Sequence, residues 1–122
     1  MSPLATDRAL LLLGDTFYPD GLKPSEAEAR IDVNLIAPFC TFLDLSAPLG
    51  AKAEPHCPVA KGERRPVPVL SVLGNHDWNT PESPDLERDL VPQYVANWKL
   101  EKGGAWVYET PVGVRTVMAE AR

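Results

Sequence analysis

Two apolar runs in this chain end in the same way. Ala9 to Leu13 is continuous and closes on Gly14-Asp15-Thr16-Phe17-Tyr18, and Val67 to Leu73 is Val-rich, flanked by Pro66, and closes on Gly74-Asn75-His76-Asp77. Short length, β-branched content and bounding Gly and Pro predict buried strands and not helices. The first run does not alternate, so as a strand it needs cover on both faces. In open α/β sheets the crevice beyond the carboxyl ends of the strands is where ligands bind. Both runs deliver polar, chemically capable residues to that position.

Between them the period changes. After a turn signal at Tyr18-Pro19-Asp20-Gly21, Ser25 and Glu28 form a capping box with Pro24 just ahead. Ala27, Ile31, Leu35 and Phe39 then recur at spacings of four, one apolar helical stripe that Pro38 ends or kinks. Phe39 to Leu45 is apolar again and fits a second helical piece or a strand equally well. Ser46 to Pro66, with Pro48, Gly50, Pro55, Pro58 and Gly62, has no period and reads as a long surface loop. Trp78 to Pro84 continues as loop, and Asp85 to Trp98 is helical in part, with Pro92 limiting it. Ala105–Glu109 and Val112–Met118 form a hairpin around Thr110-Pro111-Val112-Gly113. The pattern as a whole predicts an α/β domain.

A chain of 122 residues suffices for one domain, and a hydrophobic fraction of 44% excludes wholesale disorder. The net charge of -5 and the mixing of acidic with basic residues leave no stripe to track a phosphate backbone, which argues against a nucleic-acid partner. No segment approaches transmembrane length, which argues against a membrane. Leu10 to Leu13 is too short for a signal-peptide core and follows Asp7 and Arg8 directly. As it stands the chain carries no address, which fits the cytoplasm or a longer chain whose start lies upstream. Its two cysteines, Cys40 and Cys57, have no metal-ligand rhythm. Cys40 reads as a core thiol and Cys57 as a loop residue, and a bridge between them is possible but nothing in the pattern supports it. His56, beside Cys57, reads as a solvated side chain and not a ligand.

The strand ends carry the chemistry. A carboxylate such as Asp15 at a strand end has its backbone fixed, and its two oxygens reach two cations. Gly14 removes bulk beside it. Tyr18 offers a phenolate and Asn75 a neutral amide oxygen. His76 can face substrate, with Asp77 available to orient its ring. Each motif alone is equally well a polar turn. Their conjunction after two buried strands favours one site.

Gly14-Asp15-Thr16-Phe17-Tyr18 and Gly74-Asn75-His76-Asp77 resemble two signature blocks of the calcineurin-like metallophosphoesterases, and the tyrosine resembles the purple acid phosphatase branch. The resemblance implies a four-layer α/β/β/α sandwich and phosphomonoester hydrolysis at a dinuclear centre, iron with iron, zinc or manganese. Asp15 would bridge both metals, Tyr18 would ligate one and Asn75 the other. His76 would contact the phosphate and assist the leaving group, and Asp77 would support His76. The substrate would be a small phosphate ester, with phosphodiester or nucleotide hydrolysis as the alternative within the superfamily. The family's earlier Asp-containing strand and later histidine blocks are not in this sequence, whose histidines are His56 and His76. The resemblance therefore implies an incomplete domain, prone to self-association through exposed sheet edges, or a remnant that no longer hydrolyses anything.

Overall fold

The computed structural model describes residues 8–101, 105–109 and 115–119. Its centre is a parallel sheet of three short strands in the order β1 (Leu10–Leu12), β2 (Val69–Ser71) and β3 (Trp98–Lys99). Leu10 pairs with Val69, Leu12 with Ser71 and Val69 with Trp98. The two Gly-terminated runs are thus strands, as their composition predicts, and they are direct neighbours. β3 lies where a helix was expected to be ending. A two-residue strand leaves no period to read.

β2 is buried on both sides. Val69 and Leu73 face the main core with Leu12, Phe17, Ile31, Leu35 and Trp98, whereas Leu70 and Val72 face the opposite way. That second side is covered by an antiparallel hairpin of β4 (Ala105–Glu109) and β5 (Arg115–Ala119), which places Trp106, Tyr108 and Met118 against Leu70 and Val72. The hairpin is the one the sequence predicts, with β5 beginning at Arg115. Its expected turn, Thr110 to Gly113, lies outside the described residues. Cover on both faces fails at β1: Leu11 is 47% and Leu13 75% exposed, because β1 is the edge strand and the hairpin sits over β2. The architecture is a mixed α/β arrangement of a helical layer, a parallel sheet and a hairpin.

The helical layer begins with α1 (Ala27–Ile31), continues through a π-helical turn (Asp32–Ile36) into α2 (Ala37–Phe39), and closes as a 3₁₀ turn (Cys40–Phe42). Ser25 makes no capping bond; Glu26 occupies the cap position and its side chain pairs with Arg30 at 3.6 Å. The stripe of fours holds through Leu35 and then shifts. Ala37 N–H donates to Asp32 O, five residues back, so the wide turn carries one extra residue and brings Ile36 and Cys40 to the buried face. Pro38 follows immediately. Its missing N–H and bulky ring disrupt a four-residue ladder, and a wide turn just ahead of it accommodates both.

Residues 46–66 are more ordered than the aperiodic sequence suggests. They hold α3 (Gly50–Ala53) and 3₁₀ turns at Glu54–His56 and Lys61–Glu63. A Cys40–Cys57 disulfide, with Cα atoms 5.6 Å apart, ties them to the helical layer, which corrects the reading of two unpaired cysteines. Arg64, nearly buried, holds Glu54 with two hydrogen bonds of 2.9 and 2.6 Å, and its Nε donates to Val59 O at 3.1 Å. His56 Nε2 lies 3.3 Å from Asp32 Oδ2, so this histidine, which the sequence suggests is merely solvated, has a carboxylate partner. The buried amide of Asn97 bridges the far side: Nδ2 donates to Phe42 O and Val67 O, and Oδ1 accepts from Asp44 N. Downstream, α4 (Ser83–Asp89) starts two residues before its expected position and is followed by a 3₁₀ turn at Val91–Gln93 containing Pro92. Among the described residues no helix is long and apolar enough to cross a membrane.

A bridge with a sequence separation of 17 removes loop-closure entropy from the unfolded chain worth about 3 kcal/mol. Replacing both Cys40 and Cys57 by Ser should lower stability by roughly that amount in urea unfolding. An unchanged midpoint would show that Glu54 and Arg64 hold the segment without it.

Candidate functional site

Because β1 and β2 are parallel neighbours, the chain leaves both at the same end of the sheet. Gly14 and Gly74 meet there. Gly14 has φ +104°, and a Cβ on it would stand 2.9 Å from Gly74 Cα, so the two backbones touch where side chains would ordinarily intervene. Asp15 follows at φ 54°, in the left-handed region that Asp tolerates better than most residues. A Cβ on Gly74 would lie 2.7 Å from Asp15 N and 2.8 Å from its Cγ. Phe17 anchors the first loop by full burial against Trp98, ring centroids 6.1 Å apart. The loop then turns back with Gly21 N–H donating to Phe17 O at 2.7 Å; the Tyr18–Pro19 peptide is cis. The second loop winds into a 3₁₀ turn, His76–Trp78, entered through Asn75.

Hydrogen bonds lace the loops together. Asp15 Oδ1 accepts from His76 N–H at 2.9 Å. Asp77 Oδ2 accepts from Gly74 N–H at 2.7 Å and from Asp15 N–H at 3.0 Å. Thr80 Oγ1 donates to Asp20 O at 2.8 Å, and Leu22 N–H donates to Ser83 Oγ at 2.8 Å. His76 Nδ1 lies 2.6 Å from Pro19 O. A ring nitrogen facing a carbonyl oxygen must carry the proton, which leaves Nε2 as the nitrogen available for proton transfer.

Of the five residues singled out from sequence, Asp15, Tyr18 and His76 converge. The Tyr18 ring, 59% exposed, lies tilted over the His76 imidazole with centroids 4.6 Å apart. Asn75 is exposed on the same turn, next to His76. Asp77 differs from expectation. It is fully buried, and its carboxylate serves the amides of Gly74 and Asp15 and not the His76 ring, whose Nδ1 is held by Pro19. Turn geometry explains this. Three consecutive residues of a 3₁₀ turn point in three directions, so His76 and Asp77 face outward and inward respectively. Among the described residues, no group of three or more His, Cys, Asp or Glu is arranged to hold a metal ion.

The buried carboxyl of Glu87 on α4 lies beneath the site, and sequence reasoning missed it. Its Oε2 accepts from Ser83 Oγ at 2.9 Å, and its backbone carbonyl accepts from the Trp98 indole N–H at 2.7 Å. In Asp85-Leu86-Glu87-Arg88-Asp89 nothing separates it from its solvated neighbours. Burial first, and then the hydrogen bond and charge of Asp77, push the Glu87 pKa up to about 10. Compared with protein-family models, with curated proteins and with solved structures, the chain has no match.

Two outcomes follow from this geometry. Gly74→Ala should destabilise the fold by about 2 kcal/mol through overlap with Asp15, measured by urea unfolding; a neutral result would mean the loops are not in contact. Glu87 contributes through its proton. Below its ordinary value of 4.5 the folded and unfolded chains are both protonated and the contribution is whole. Above 4.5 only the folded chain keeps the proton, so stability declines with rising pH, by up to about 1.4 kcal/mol per pH unit, until the folded pKa is reached. Glu87→Gln should abolish that slope, so the variant gains on the parent between pH 5 and 8. A constant difference would show Glu87 ionised in the folded chain.

Proposed function

We propose that the rim formed by Asp15, Tyr18, Asn75 and His76 serves metal-dependent hydrolysis of phosphoesters, with small phosphomonoesters as substrates, in a domain of the four-layer α/β/β/α type. The observation that carries this reading is the bond from His76 N–H to Asp15 Oδ1 across the ends of two adjacent parallel strands. It ties the backbone that carries the ester-facing imidazole to the metal-binding carboxylate. Asp15, Tyr18 and Asn75 all offer oxygen, the donor that hard cations such as ferric iron and manganese prefer. They are the residues that would hold two ions, iron with iron, zinc or manganese, and three donors are fewer than two ions require. When bound, such ions supply positive charge against the phosphoryl oxygens. His76 is held at Nδ1 and steadied by Tyr18. With both ring nitrogens protonated, Nδ1–H would stay on Pro19 O while Nε2–H would contact the phosphate and give its proton to the departing alcohol. Asp77 acts from below, by fixing the amides of Asp15 and Gly74. The Cys40–Cys57 bridge favours an oxidising compartment over the cytoplasm.

A second reading has its own observation. Asp15 Oδ1 and Asp77 Oδ2 are both taken up by backbone N–H groups, as they would be if the two loops were merely locked together in a non-catalytic domain.

Titration with Fe(III), Mn(II) and Zn(II), together with turnover of nitrophenyl and alkyl phosphates, separates the two. Under the hydrolytic reading ferric iron gives a visible phenolate absorption that Tyr18→Phe removes. Asp15→Asn and Asn75→Ala should lose metal affinity and turnover together. His76→Asn should keep its metal while kcat falls by about 10²–10⁴-fold, less for nitrophenyl than for alkyl esters. A chain that binds none of these ions and cleaves neither ester leaves only the locking role. If His76→Asn loses metal as fully as Asn75→Ala, the role given to His76 is wrong.

A further inference from the structure

Two acidic side chains meet beneath the rim, in an interior where water does not reach them. Asp77 and Glu87 are each 0% exposed, one from the His76–Trp78 turn and one from α4. Each has one oxygen provided for. Asp77 Oδ2 takes the amides of Gly74 and Asp15, and Glu87 Oε2 takes the Ser83 hydroxyl, which in turn accepts Leu22 N–H. Each also has one oxygen left over: Asp77 Oδ1 and Glu87 Oε1 meet no donor as long as both groups are ionised. Two carboxylates so placed would repel, with the charge of Asp15 adding to the repulsion, and both spare oxygens would stay unsatisfied. One proton resolves both defects by joining the groups in a carboxyl–carboxylate hydrogen bond. The two orphaned oxygens are Asp77 Oδ1 and Glu87 Oε1, and Glu87, whose carboxyl burial pushes well above its ordinary range, brings the proton that joins them.

We infer that Glu87 is a positioning residue of the site: its carboxyl group donates to Asp77 and fixes the Asp77 carboxylate in the orientation that clamps the amides of Asp15 and Gly74. The contact runs without a break from Leu22 through Ser83, Glu87 and Asp77 to Asp15. It sets the left-handed backbone of Asp15 and therefore where the Asp15 carboxylate stands on the rim. α4 is the rigid support, held against β3 by the bond from Trp98 to the Glu87 carbonyl. The loop geometry is independent of any catalysis; an effect on turnover rests on the phosphoester reading.

The test uses the full chain, ¹⁵N-labelled and free of metal, with hydrogen exchange read at the amides of Asp15 and Gly74 and at Val69 as a core reference. Glu87→Gln keeps a donor for Asp77 and an acceptor for Ser83, so both loop amides should keep their protection and their shifts. Glu87→Met keeps the length and removes both functions, so protection at Asp15 and Gly74 should fall by about tenfold or more relative to Val69. Unchanged loop amides in Glu87→Met, or equal losses in both variants, would overturn the inference. If Glu87→Met does not fold, infrared spectra of the parent chain with a ¹³C-labelled Glu87 carboxyl decide. A protonated carbonyl stretch at neutral pH supports the inference, and an ionised carboxylate there overturns it. A parent chain that binds no metal and cleaves no ester would end the phosphoester reading and leave these amide results standing.

Discussion

One carboxylate oxygen, Asp77 Oδ2, joins the two halves of the site. It receives the amide of Gly74, three residues back, and the amide of Asp15, which belongs to a loop that left the sheet far earlier in the chain. The backbones of Gly14 and Gly74 can touch only if something satisfies the amides that this contact turns inward. A buried N–H without an acceptor costs about 1–3 kcal/mol, and Asp77 provides for two. The left-handed backbone of Asp15, the approach of His76 N–H to the Asp15 carboxylate and the seating of the His76 ring on Pro19 all depend on it.

The polar floor and the apolar core have different tasks. Val69, Leu73, Phe17 and Trp98 hold the sheet against the helices by burial, which is insensitive to small displacements. Hydrogen bonds are directional, and Ser83, Glu87 and Asp77 use that to fix where the strand ends point. Such a floor is costly unless every oxygen is matched. The matching here needs a proton kept on Glu87 far above the ordinary carboxylic range.

The parts legible in sequence were those whose cause is local. A Val-rich run stopped by Gly74 is a strand end whatever surrounds it, and the same holds for Gly14; the hairpin was signalled by its turn, Thr110-Pro111-Val112-Gly113, with Pro at the second position. The position of Asp15, Tyr18 and His76 on one rim followed from those two ends. What stayed hidden depends on partners distant in the chain. Glu87 looks solvated until α4 is laid under the loops. Asp77 looks like an orienter of His76 until the turn is seen to be 3₁₀. Trp98 and Lys99 make a strand only because β2 offers an open edge, and residues 46–66 are fixed by Cys40 and by Arg64 rather than by any period of their own.

The wide turn at Asp32–Ile36 sets the rotational phase of everything after it in the first helical segment. Each residue of a helix advances side chains by about 100°, so the added residue decides which way Cys40 faces. Without it, the stripe of fours would keep Phe39 inward and swing Cys40 aside, away from Cys57. The covalent tie between the helical layer and residues 46–66 is therefore encoded by an irregularity several residues upstream of either cysteine. A homologue that lost one residue between Asp32 and Ile36 would be expected to have lost the cysteine pair as well.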